Sequence, residues 1–158
     1  EIAQCLVGSE MCIRDRCKLG FDIGLKELTA DELAYCQTAV ANWKRLQNAI
    51  MDGDQYRLVS PYEGNHMALN YVSKNTNKAV LFAYDIHPRF QEKLMAVKLQ
   101  GLDPNKQYKV EEINLMPSVT SKLGSNGKVF SGDYLMKVGL NVFGLATTQS
   151  HVIELTAQ

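Results

Sequence analysis

The amino-acid sequence predicts a mainly β fold: an antiparallel β-sandwich preceded by one long amphipathic α-helix. Two observations predict it. Between Thr29 and Gly53 apolar residues recur at three- and four-residue steps. Beyond Asp54 they fall into short runs separated by turn-forming residues, with no further helical period.

The helix lies in "LTADELAYCQTAVANWKRLQNAIMDGD". Thr29 and Glu32 form a capping box, in which the Thr hydroxyl takes the amide three residues on and the Glu reaches back. Leu33, Cys36, Val40, Trp43, Leu46 and Ile50 then make one apolar stripe from about Ala30 to Met51. Gly53 is expected to end it in a left-handed conformation.

Next, "QYRLVSP" reads as extended and ends at Pro61. "MALNYV" and "AVLFAYDI" flank the polar link "SKNTNK", a predicted hairpin. In the second of these Val80, Phe82 and Tyr84 share one face, and Leu81 and Ala83 the other. A strand apolar on both faces belongs in the middle of a sheet. Asp103-Pro104 sets a turn between "MAVKLQ" and the strand "YKVEEINL". "LGSNGKVFSG" is a glycine-marked turn into a strand, and "HVIELTA" is the last strand.

The hydrophobic fraction of 46% and charged fraction of 22% are those of an ordinary globular domain. Seventeen Lys and Arg balance 17 Asp and Glu. Residues 1–16 hold two of the basic and three of the acidic groups, so the rest carries 15 against 14. That balance argues against nucleic acid as a partner, since neutralising phosphates takes a basic surplus. No apolar run reaches the roughly 20 residues of a membrane span.

The stretch "CLVGSEMCIRDR", Cys5 to Arg16, follows neither period. Glu1, Glu10, Arg14, Asp15 and Arg16 break any signal-peptide core. Cys5 and Cys12 are too far apart for a zinc knuckle, and Cys17 and Cys36 offer no disulfide framework. "MCIRDR" resembles a translated frame of the mosaic end of transposase-based sequencing adaptors. Residues 1–16 are therefore read as non-native, and the remainder as a piece of a longer gene.

No catalytic residue, substrate-binding residue, metal ligand or cofactor is assigned. Glycoside hydrolysis needs two carboxyls facing each other across a bond, but Glu111 and Glu112 are neighbours on a strand and point to opposite faces. Asp52 and Asp54 flank the helix-ending glycine and read as a solvated turn. Asp85 and His87 share a strand face, either as a dyad or as a strand-end pairing before Pro88. His66 and His151 lack ligand spacing. "GSNGKV" lacks the pattern of a phosphate loop, and no Gly-x-Ser-x-Gly elbow occurs. Tyr56, Tyr62, Tyr71, Tyr84 and Tyr108 are either core aromatics or sugar-stacking platforms.

Three stretches in order, "LGFDIGLKELTADELAYCQTAV" into "GDQYRLVSPYEGN", "LQGLDPNKQYKVEEIN" and "SGDYLMKVGLNVF", resemble the C-terminal portion of bacterial α-galactosidases of glycoside hydrolase family 36. The resemblance covers Leu19 to Gln158. It implies a parent with a catalytic (β/α)8 barrel, whose last helix lies within residues 17–54, and a C-terminal β-sandwich at 55–158. It further implies retaining hydrolysis of terminal α-galactosides, such as melibiose and raffinose, by two barrel aspartates whose motifs do not occur here. The implied partners are the barrel itself and those substrates. On this reading Leu33, Val40, Trp43 and Leu46 face barrel neighbours and are covered only in part by the sandwich, so the chain alone is expected to form homo-oligomers. Leu81, Phe82 and Leu135 are expected to be buried supports of the barrel's flank. A freestanding carbohydrate-binding module, with exposed aromatics in a row, is the alternative. A small enzyme in its own right is disfavoured by the missing acid/base pair.

Overall fold

A computed structural model describes residues 28–86, 95–144 and 150–158. The readings of residues 1–16 and of His87 lie outside these.

The elements run α1 (Ala30–Met51), β1 (Asp54–Val59), β2 (His66–Val72), β3 (Lys78–Asp85), β4 (Gln107–Ile113), β5 (Val129–Ser131), α2 (Gly132–Lys137) and β6 (Ser150–Ala157). The expected class holds, a mainly antiparallel β fold behind one long helix. All six strands pair in one sheet of order β1-β2-β3-β6-β4-β5, and every pairing is antiparallel. β3 is central, as its two apolar faces require. β6, last in the chain, inserts between β3 and β4.

The capping box forms as expected: the Thr29 hydroxyl accepts from the Glu32 amide, and the Glu32 carboxylate accepts from the Thr29 amide at 2.8 Å. The helix end differs from the expectation. Gly53 is not among the described residues with positive φ. A Cβ there would lie 2.1 Å from the Ala49 carbonyl oxygen and 2.5 Å from that of Val72. Glycine is needed because β2 crosses against the last helical turn.

One face of the sheet meets α1. Met67, Leu69, Tyr71 and Val80 pack there with Leu46 and Ile50, and Trp43, Phe82 and Tyr84 are half-buried around them. The stripe is thus partly covered, but Leu46 is in the covered part, against expectation: the C-terminal half of α1 docks on the sheet while Leu33 stays 40% exposed. The other face bears Ala68, Val72, Leu81, Ala83, Val110, Ile153 and Leu155, with Tyr56 and Leu58 at the margin. The layer over it is, among the described residues, mostly irregular chain. Val97, Leu99 and Leu102 come from one segment, and Leu123, Leu135, Leu140, Val142 and Phe143 from others. Val97 and Leu140 exchange backbone hydrogen bonds at 2.8 and 2.9 Å, joining two of these segments. Leu81 and Leu135 are fully buried, whereas Phe82 is half-buried on the α1 side. The short α2 was not anticipated; the Ser131 hydroxyl caps it by accepting from the Tyr134 amide.

The hairpin turn at Ser73–Asn77 is held from outside. Lys106 donates to the Asn75 carbonyl, the Thr76 hydroxyl and the Asn77 amide oxygen at 2.8–2.9 Å. The Tyr108 hydroxyl donates to the Thr76 carbonyl at 2.8 Å and accepts from the Asp103 amide at 3.1 Å. Burial pushes the Tyr108 phenol up from its ordinary value. Thr76 sits at φ 55°, a conformation costly for a β-branched residue, and these bonds offset that cost.

Candidate functional site

Three polar constellations are built on the sheet. The first lies on the α1 side, in an open groove of about 510 Å3 lined by Arg45, Lys78, Glu111, Asn126, Glu154 and Thr156. Glu111 and Glu154 are register partners on β4 and β6, and two like charges directly opposite repel. The groove resolves this with cations. Arg45 of α1 grips both oxygens of Glu154, Nη2 lying 2.6 Å from Oε2. Lys109 pairs with Glu111 at 2.5 Å. The Arg45 guanidinium, bonded to Glu154, holds its proton more firmly than usual. Asn42 accepts from Arg45 at 3.1 Å and donates to Asn114 beyond β4 at 2.8 Å.

The other two lie on the opposite face, near one end of the sheet. His66 Nδ1 is 2.7 Å from Asp85 Oδ1, and the Gly144 amide donates to Asp85 Oδ2 at 2.9 Å. Phe143 stacks on the His66 ring with centroids 4.5 Å apart. Glu112 receives the Ser121 hydroxyl on Oε2, and its Oε1 is 2.7 Å from His151 Nδ1. The His151 and Glu112 side chains are almost wholly buried.

The geometry limits the chemistry. A retaining glycosidase pair stands about 5–5.5 Å apart, one carboxyl protonated and the other free to attack. Glu111 and Glu154 are close enough to invite that comparison. Each is engaged by a cation instead, Glu111 by Lys109 and Glu154 by Arg45, and the Glu154 side chain is only 6% exposed. Ser121, Glu112 and His151 resemble a triad in composition only. The carboxylate stands between hydroxyl and imidazole, whereas activating a serine needs the imidazole in the middle. Among the described residues no three His, Cys, Asp or Glu side chains are placed to hold a metal.

The candidates from the sequence fall out accordingly. Glu111 and Glu112 do point to opposite faces. Asp85 pairs with His66 across the strands, and His87 lies outside the described residues. Asp54 is in an exposed ion pair with Lys74, and Asp52 forms the helix C-cap. Tyr71 and Tyr108 are buried, Tyr56 and Tyr84 half-buried, and only Tyr62 of the five is open, at 76% exposure. "GSNGKV" is a turn, closed by Asn126 to Leu123 and Lys128 to Ser125 backbone bonds. Arg45, Ser121 and Glu154 were not singled out from sequence. No local signal could have found them, since each partner is supplied by a distant element.

Comparison with known proteins places this arrangement. A sequence model described as the Glycosyl hydrolase family 36 C-terminal domain matches residues 66–155. Probable alpha-galactosidase C of Aspergillus flavus is 31% identical over 139 residues, which are 88% of this chain and 17% of that protein. Alpha-galactosidase AgaA of Geobacillus stearothermophilus is 28% identical over 121 residues, 77% of this chain and 15% of its own length. Among solved structures, GH36 alpha-galactosidase AgaB of Geobacillus stearothermophilus superposes with a TM-score of 0.69 at 26% identity, over 85% of this chain and 17% of that one. This chain thus spans about a sixth of the length of the relatives it matches.

Proposed function

Because the chain belongs to glycosyl hydrolase family 36, as its C-terminal domain, we propose that it is the structural C-terminal domain of an α-galactosidase whose chemistry lies in a catalytic barrel. The observation that carries this reading is the fate of the buried carboxylates. Asp85, Glu112 and Glu154 each accept from donors on other elements of the fold. A carboxylate so held engages its lone pairs within the fold. Its effect is to fasten segments to the sheet.

On this reading residues 17–54 contribute the last barrel helix and residues 55–158 the C-terminal domain. α1 is then the joint between them. Its second half is fixed to the sheet by Leu46, Ile50 and the Arg45–Glu154 clamp, and its first half, with Leu33 open, is left for the barrel. The substrates proposed for the whole enzyme are terminal α-galactosides such as melibiose and raffinose, cleaved with retention by two barrel aspartates. A bacterial source and an adaptor origin for residues 1–16 belong to the same proposal and rest on the quoted stretches; relatives come from Aspergillus as well as Geobacillus.

The test is turnover of a chromogenic aryl α-galactoside by the purified chain and by a fusion to a family barrel. The chain alone should give none and the fusion should be active. Activity in the chain alone, abolished by Asp85→Asn or Glu112→Gln, would overturn the proposal.

A further inference from the structure

We propose that Asn126-Gly127 is a modification site gated by the fold: a succinimide-forming pair that β4 holds closed and that opens only when that strand edge frays. Asn followed by Gly is the step at which an asparagine side chain cyclises most readily, because no Cβ on the following residue hinders attack. Both residues are exposed here, and a Cβ on Gly127 would meet nothing within 4 Å. Access to solvent and steric room are therefore present.

The reacting atoms, however, are both engaged. Cyclisation joins the Gly127 nitrogen to Asn126 Cγ. The Cγ–Nδ2 bond breaks, and Nδ2 leaves as ammonia carrying the proton from Gly127. Water then opens either ring carbonyl, giving aspartate or isoaspartate at position 126. In the fold the Gly127 amide donates to the Val110 carbonyl at 2.7 Å. The Asn126 side-chain oxygen accepts from the Glu112 amide at 2.8 Å, standing in for a strand carbonyl on the edge of β4. Val110 in turn donates to the Lys128 carbonyl at 2.9 Å. The nitrogen cannot lose its proton and the Cγ cannot swing onto it until these bonds open together. Local opening, rather than sequence, then sets the rate.

The consequence reaches the buried pair. Glu112, whose amide Asn126 holds, carries the carboxylate that Ser121 and His151 share. Isoaspartate inserts an extra backbone atom, so the turn can no longer place Gly127 on Val110 and the side-chain acceptor on Glu112 at once. A single cyclisation during transient opening becomes a permanent loosening of β4.

The experiment incubates the full chain at mildly alkaline pH, with and without concentrated urea, and follows residue 126 by peptide mapping that separates aspartate from isoaspartate. Conversion should be at least about tenfold slower in the folded chain, in keeping with suppressed local opening. Native material carrying isoaspartate should exchange the Val110, Glu112 and Gly127 amides faster than fresh material. Equal rates with and without urea, or no conversion in urea, would overturn the proposal.

Discussion

Arg45→Met removes the cation from a carboxylate that the sheet has already taken out of water. Of the two side chains, Glu154 is 6% exposed and Arg45 is 42% exposed. A fully exposed ion pair contributes about 0–1 kcal/mol, while breaking a fully buried one costs about 3–5 kcal/mol because the orphaned charge stays behind. This pair is buried on one side only, so the predicted loss is about 2 kcal/mol. The repulsion of Glu111, opposite Glu154 in register, acts in the same direction. For a chain of 158 residues that corresponds to a melting point lower by roughly 4–8 °C. The discriminating measurement is the double substitution Arg45→Met with Glu154→Met. If the loss comes from a stranded charge rather than from lost packing of the Arg stem, removing both charges should restore most of the stability, to within about 1 kcal/mol of the parent. Thermal and urea unfolding of the four proteins give the cycle. A double variant as unstable as Arg45→Met alone would refute the argument and assign Arg45 a packing role.

Leu81 is fully buried at the sheet centre, and Leu81→Ala is predicted to cost about 3–5 kcal/mol by leaving a cavity; a loss below about 1 kcal/mol in urea titration would mean the layer over that face collapses to fill it. Tyr108 has its phenol pKa raised by burial, so its contribution is complete below the ordinary tyrosine value and is lost as pH rises through the folded value. Unfolding midpoints should therefore fall in alkali, and Tyr108→Phe should flatten that fall while lowering the neutral-pH midpoint through the lost bond to Thr76. Light scattering on the isolated chain should show oligomers that diminish with Leu33→Glu; an unchanged distribution would remove the open half of α1 as the associating surface.

Features governed by neighbours in sequence were legible. The capping box, the hairpin at Ser73–Asn77 and the turn at Asp103 each need only residues within a few positions, and each forms. The central place of β3 could be read because Val80 and Phe82 on one face and Leu81 and Ala83 on the other leave no side for water. α2 escaped because six residues are too few to display a helical period, although Ser131 and Asp133 are sound first-turn residues. Gly53 was recognised as a helix end for the wrong reason: a close approach by β2 is invisible until β2 is placed.

The polar pairs were legible only in part, and strand geometry says why. The sequence suggested Asp85 with His87, but residues i and i+2 of any strand stand nearly 7 Å apart along the chain. A directly opposed residue on the next strand is about 4.5–5.5 Å away, and His66 is that residue for Asp85. Register therefore outranks sequence proximity as the selector of partners. His151 reaches Glu112 as its diagonal neighbour in the β4–β6 ladder, two residues from Ile153, which stands opposite Glu112. Glu112 and Glu154 meet His151 and Arg45 only when β6 lies beside β4 and under α1, whereas Asp85 and His66 meet within the β2–β3 hairpin. The Glu112 and Glu154 pairs then report completed assembly. That behaviour suits the structural role proposed for this domain.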